Sequence, residues 1–237
     1  MPLFCNFSYF CSHCQLMFIE LIMPENIKHR PIFRMIHYKN VAHILENGIC
    51  CRSHKDADPE YINIGDTTLI SQRQEYSVGI NPPGGNLGDF IPFYFGGHSP
   101  MLYNIKTGYR RIPQRPQEDI VYICCIIENI VRECSDWCFT DGHAKNHITE
   151  FYNDLCYFNK IDWEVIDSQW WHATENDMDK PRRKQAEFLV KNFIPASSIS
   201  AIIVKNKERK DYIDSLVCNT GLNMSIYVDT NNKLYYP

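Results

Sequence analysis

Between Asp179 and Pro195 the chain reads DKPRRKQAEFLVKNFIP, passing within a few residues from a basic, proline-started segment to an apolar one. Glu187 stands at the seam, followed by Phe188, Leu189, Val190, Phe193 and Ile194, so its carboxylate lies where a strand or helix enters the core. A charge held there must find donors or a ligand, because uncompensated desolvation is costly. The same pattern also fits a glutamate that faces solvent while its neighbours are buried, and the rest of the chain has to decide between the two.

A chain of 237 residues suits one domain of generous size, able to stabilise its own core. The formal net charge of -4 gives no global basic signature for nucleic acid, so any such site has to be a local patch. Eleven cysteines are present, but Cys50-Cys51 and Cys124-Cys125 are adjacent pairs, and neighbours in a strand point to opposite faces. Free thiols in a reducing cytosol fit this placement better than a disulfide framework does. Cys11 and Cys14 form a CxxC with Cys5 and His13 nearby, yet no second CxxC completes a four-ligand zinc site, and no metal is expected. The first 22 residues are apolar and aromatic, lack a basic leading segment or cleavage site, and are interrupted by polar residues. Neither a signal peptide nor a membrane span is expected; they read as an N-terminal extension, with residues 23–237 forming one domain.

Along the chain, IFRMIH reads as a strand ending at His37, and Asn40 is placed to cap a helix through NVAHILENG that stops at Gly48. Residues 52–88 are polar and rich in turn signals, a long excursion whose one ordered segment is Ile70–Gln74, with Arg73 in it. In GDFIPFYFGGHSPMLYNI, Pro92 suggests an edge strand, broken by Gly96-Gly97. Arg110, Arg111 and Arg115 form a basic turn before DIVYICCIIENI, the clearest buried strand. Arg182, Arg183 and Lys184 form a second basic cluster, and two such clusters suit a phosphate backbone as well as a solvated rim. Thr149 is placed to cap a helix with Phe151, Leu155 and Phe158 on one face. Trp170, Trp171 and His172 among polar residues suggest stacking or a lid. SISAIIVKN reads as a strand, KERKDYIDSLVCNTG as a helix ending at Gly221, and MSIYVDTNNKLYYP as a hairpin turning at Asn231-Asn232.

Taken together, PIFRMIHYKNVAHILENGI, SQRQ, FIPFYFGGHSPMLY, FTDGHA, IDW and RRKQAEFLV follow the order and spacing of the DarT family. Over roughly residues 31–205 the chain resembles these bacterial toxins, which ADP-ribosylate DNA. The resemblance implies an α+β ADP-ribosyltransferase fold, with a central, split, mostly antiparallel β-sheet and flanking helices. It implies NAD as co-substrate, held by Arg34, Met35, Ile36 and His37 at the ligand end of the first strand, His37 bonding a ribose hydroxyl. Arg73 would ride on a loop closing over NAD, and Glu187 would be the catalytic glutamate, with a loop from about Asp141 presenting the nucleic acid. The acceptor implied is a base nitrogen of single-stranded DNA, thymine or, in a related branch, guanine. Tyr94, His143, Trp170 and Trp171 would stack on or contact the base, while Arg110, Arg111, Arg182, Arg183 and Lys184 would track phosphates. A macrodomain antitoxin is the implied partner, in the bacterial cytoplasm.

The chemistry asks for the same residue types. Breaking the bond to nicotinamide makes an oxocarbenium-like sugar, which a fixed carboxylate can face. Arginine is a poor base at pH 7, so charge stabilisation suits Arg73 better than proton abstraction. Two other functions compete: a catalytically silent module binding single-stranded nucleic acid, and an NAD glycohydrolase with water as acceptor.

Overall fold

Nearly continuous apolar sequence makes two strands the spine of the protein, and the remaining elements assemble around them. The structure, a computed structural model, describes residues 29–109 and 112–237; the expectations for the N-terminal extension and for Arg110 and Arg111 lie outside the described residues. In chain order the elements are β1 (Pro31–His37), α1 (Val41–Asn47), β2 (Ile49–Cys50), α2 (Thr67–Gln74), β3 (Phe90–Tyr94), α3 (Pro100–Thr107), β4 (Ile120–Ile126), α4 (Ile127–Glu133) and β5 (Trp137–Thr140). They continue with β6 (Phe151–Tyr152), α5 (Trp163–Asp167), α6 (Lys180–Arg183), β7 (Glu187–Lys191), β8 (Phe193–Ile194), β9 (Ile199–Val204), α7 (Lys207–Val217) and β10 (Ser225–Val228).

Eight strands form one sheet in the order β10-β9-β4-β1-β3-β7-β5-β6, antiparallel throughout except for the β10–β9 pair. β1 and β4 pair along their whole length, from Pro31 opposite Ile126 to His37 opposite Ile120. β1 and β3, by contrast, meet only at Phe33 and Tyr94. The sheet splits there, and the split opens the main cleft.

Pro92 sits in this interior strand, which corrects the edge-strand expectation. Within a strand the N and O of one residue face the same side. The Pro92 carbonyl accepts from Arg34 Nη1 at 3.2 Å, so the missing N–H faces the split, where β1 has already diverged and no ladder bond is lost.

Most of the buried apolar side chains lie in a core that includes Ile32, Ile36, Phe93, Ile123, Phe139, Phe188 and Val190. Phe188 is fully buried, stacked on Trp137 at 5.5 Å and edge-on to Phe95 at 6.2 Å. Burying a side chain of this size contributes about 1.5–3 kcal/mol, which anchors β7 and with it Glu187. Cys124 and Cys125 fall into different clusters on opposite faces, as adjacent strand residues must, and the cysteines of the described residues are free.

Other local expectations are corrected too. Asn40 does not cap α1 with its side chain; it is buried and bonds the Ile62 backbone on both sides, Nδ2 to the carbonyl and Oδ1 from the N–H, each at 3.0 Å. The helix expected after Thr149 is instead β6 followed by a 3-10 turn over Leu155–Lys160, capped by Asp154. Thr149 Oγ1 donates to the His143 carbonyl at 3.0 Å. The C-terminal hairpin does not form either. β10 runs parallel to β9, and Asp229 then gathers the N–H groups of Lys233, Leu234 and Tyr235, which buries Leu234 and Tyr235.

Candidate active site

The seam at Glu187 becomes the first residue of β7, opposite Tyr94 at the end of β3. Its side chain is buried, and Thr140 fixes its backbone: Oγ1 accepts from the Glu187 N–H at 3.0 Å and donates to the Gly142 carbonyl at 2.7 Å. Arg73, from the last turn of α2, forms a fork with the carboxylate, Nη1 to Oε1 at 3.0 Å and Nη2 to Oε2 at 2.8 Å. The Ala144 N–H adds a third bond, to Oε1 at 2.9 Å. Burial alone would raise the Glu187 carboxyl, but the Arg73 charge and hydrogen bonds, with His143 and the Ala144 amide, outweigh it and hold the group below the usual carboxylate range. Glu187 is therefore an anion at neutral pH, and Arg73, despite its own burial, is kept a cation by Glu187.

The loop carrying Ala144 is itself clamped. Arg182 bonds both carboxylate oxygens of Asp179, Asp141 at 2.9 Å and Thr149 at 3.2 Å, while its carbonyl accepts from the His143 N–H at 3.0 Å. Gly142 is needed here, because a Cβ would run into the Arg182 guanidinium that those partners lock in place. Burial lowers the His143 pKa against the opposing pull of Glu187, so its imidazole is neutral at pH 7.

These groups face a cleft of about 1080 Å³. That is just above the roughly 300–1,000 Å³ typical of small-molecule pockets. Arg34 and Met35 of β1 line it, as do Tyr94, Arg73, His143 and Glu187. Arg34 Nε is buried with no hydrogen-bond partner, the kind of donor a bound acceptor satisfies. Burial and the Glu187 charge push the Tyr94 phenol up, so it stays protonated.

Several expected site residues lie elsewhere. Ile36 points into the core and is fully buried. His37 is outside the cleft lining, its Nδ1 accepting from the Lys39 N–H at 3.3 Å and its ring stacked on Tyr38 at 4.8 Å. Of β1, Arg34 and Met35 are the residues that line the cleft, because the sheet splits there and not at the strand terminus. Trp170 and Trp171 are also outside this lining: Trp170 is 75% exposed, and Trp171 donates from Nε1 to the Tyr236 hydroxyl at 2.7 Å and stacks on His172. The two arginines of the second basic cluster are neutralised within the chain, and its lysine is held by carbonyls. Arg182 braces the Ala144 loop, Arg183 pairs with Asp162, Asp177 and Asp179, and buried Lys184 donates to the Ile166 and Ser168 carbonyls.

Two kinds of contributor escape a reading of the sequence. The Ala144 amide carries no side-chain signal, although the Thr-Asp-Gly turn before it is a cue. Tyr61 and Met178 line the cleft yet are exposed, 38% and 75%, and only the fold brings them to its mouth. Among the described residues, no group of three or more His, Cys, Asp or Glu converges as a metal site, and no helix is long and apolar enough to cross a membrane.

Comparison with known proteins gives one consistent result. Residues 33–236 match the family model described as DarT, ssDNA thymidine ADP-ribosyltransferase. A DNA ADP-ribosyl transferase of Escherichia coli O127:H6 (strain E2348/69 / EPEC) is 33% identical over 196 residues, covering 83% of this chain and 89% of that one. Among solved structures, Thermus sp. 2.9 DarT in complex with ADP-ribosylated ssDNA superposes with a TM-score of 0.78 at 26% identity, covering 90% of this chain and 98% of that chain. The same protein in complex with NAD+ gives a TM-score of 0.75, also at 26% identity, over 90% of this chain and all of that one (100%).

Proposed function

Because the chain belongs to the DarT family of single-stranded DNA thymidine ADP-ribosyltransferases, we propose that Glu187 and Arg73 are the working pair of an NAD-dependent enzyme that moves ADP-ribose onto thymine in single-stranded DNA. The observation that carries the proposal is the buried Arg73–Glu187 fork at the edge of a cleft of dinucleotide size.

The cleft suits NAD through Arg34, whose unpartnered Nε and ordered guanidinium offer donors, and through the open lining beside Met35 and Tyr94. In the reaction the C1′–N bond to nicotinamide breaks, neutral nicotinamide leaves, and the ribose gathers positive charge. Glu187, a fixed anion in a largely water-free position, faces that charge and accepts from a ribose hydroxyl. The thymine nitrogen then bonds C1′ and gives up its proton. Arg73, a cation held beside the site, stabilises the base as it becomes anionic. Neutral His143 lines the same cleft and is the group assigned to take that proton, and proton transfer assisted in this way typically contributes about 10²- to 10⁴-fold.

By resemblance, the enzyme is the toxin of a toxin–antitoxin pair, and a macrodomain protein that removes the modification is its partner. The test is incubation with labelled NAD and single-stranded oligonucleotides that contain only thymine or only guanine as the reactive base. Label on the thymine strand supports the proposal. Label on guanine alone moves the target base, and nicotinamide release unaffected by DNA reassigns the protein as an NAD glycohydrolase.

A further inference from the structure

A second cavity, of about 610 Å³, lies next to the cleft at the end of the sheet. The two are neighbours along three segments: where the cleft takes Arg34, Tyr94 and Gln185, this cavity takes Phe33, Phe95 and Lys184. Its charge is lopsided. Arg30 and Asp167 pair with each other, Arg30 lying 4.2 Å over the Trp163 ring, which leaves Lys184 and Lys233 uncancelled.

Lys184 is 4% exposed, and its ammonium donates to the Ile166 and Ser168 carbonyls, each at 2.7 Å. An ammonium has three donors, so one remains for a ligand. Burial draws its pKa down to about 8 against the pull of Asp167, and a neighbouring anion would favour the charged form further. The wall is tightly made: a Cβ on Gly96 would sit 2.6 Å from the Ile166 carbonyl, and one on Gly97 would strike the Lys233 carbonyl.

We infer that this cavity receives a phosphate of the DNA strand flanking the modified nucleotide. The inference rests on the reading of single-stranded DNA as acceptor and extends it to a binding subsite. A protein of net charge -4 needs a local source of cations for a polyanion. Arg182 and Arg183 are neutralised by carboxylates and do not supply it, whereas Lys184 and Lys233 line the second cavity, Lys184 adjoining Gln185 of the cleft.

The test uses the full chain and a fluorescent thymine-containing oligonucleotide, its affinity measured across a salt series. Lys233→Glu and Gln169→Glu place negative charge at two exposed positions of the lining, with the melting temperature as the control for folding. Each is expected to weaken binding several-fold and to flatten the log–log salt slope by about 0.7 per lost phosphate contact. One flanking methylphosphonate should weaken wild-type binding and leave binding to the variants unaffected. Wild-type affinity and slope in both folded variants overturn the inference. Protection by inorganic phosphate that the variants abolish, with oligonucleotide affinity unchanged, also overturns it by making this a free-anion site. If the wild-type protein binds no oligonucleotide, the acceptor reading itself fails.

Discussion

Replacing either member of the Arg73–Glu187 pair alone strands the other charge in the interior. Breaking a buried pair from one side typically costs about 3–5 kcal/mol, far more than the pair's net contribution. Arg73→Ala and Glu187→Ala should each lower unfolding free energy in that range, and the double variant should lose clearly less than the sum, as urea titrations of the three proteins will show. Strict additivity would mean that the fork does not persist in solution. At this scale much of the site was legible. Glu187 stood out because a carboxylate at a basic-to-apolar seam needs a partner, and Arg73 lay in the one ordered segment of a long polar excursion. Which of Arg34, Met35, Ile36 and His37 line the cleft was not legible, because it depends on where two strands part company, which neither strand encodes alone.

At the scale of elements, α2 is the least anchored piece of the site: it buries none of its residues, yet it delivers Arg73. Its order depends on Asp66, whose side chain accepts from the Thr68 and Leu69 N–H groups at 2.9 and 3.1 Å, and on the fork with Glu187. Asp66→Ala should cost about 1 kcal/mol of helix stability. The measurable result is faster hydrogen exchange confined to α2 and a raised KM for NAD, with global stability nearly unchanged. Faster exchange throughout the sheet would contradict this view of α2 as a locally held lid. β7 is the opposite case. Phe188→Ala should cost about 3–5 kcal/mol by calorimetry, since the ring is buried among aromatics that cannot collapse into the space. Strands with apolar runs were readable in the sequence, as β1, β4 and β9 attest, whereas the Glu187 stretch fitted a strand or a helix. Pro92 was misleading because its missing donor falls at the split, and Thr149 because its hydroxyl serves the clamp on His143 and not a helix.

For the molecule as a whole, pH acts through histidines kept neutral by burial. His37, His98 and His143 all have pKa values lowered from 6.5 in the folded state, with desolvation the largest cause in each. Below the unfolded value the unfolded chain therefore binds more protons than the folded one, so stability falls as pH drops through 6.5 and is fully present above it. Urea midpoints about one unit either side of that value should show the loss on the acid side, and His143→Gln should reduce it. An unchanged midpoint would mean that these imidazoles take up protons without unfolding. The overall architecture could be anticipated from the order of motifs, whereas the second cavity, the exposed mouth residues and the internal neutralisation of Arg182 and Arg183 exist only once distant segments meet. The central claim, that an anionic Glu187 braced by Arg73 drives transfer to a nucleobase, is tested most directly by mass analysis of a single-stranded thymine oligonucleotide incubated with NAD and either wild-type protein or Glu187→Gln. An ADP-ribose adduct with the wild-type chain, reduced at least about 10²-fold in rate by the variant, is the predicted result; an adduct formed equally fast by both would contradict the account.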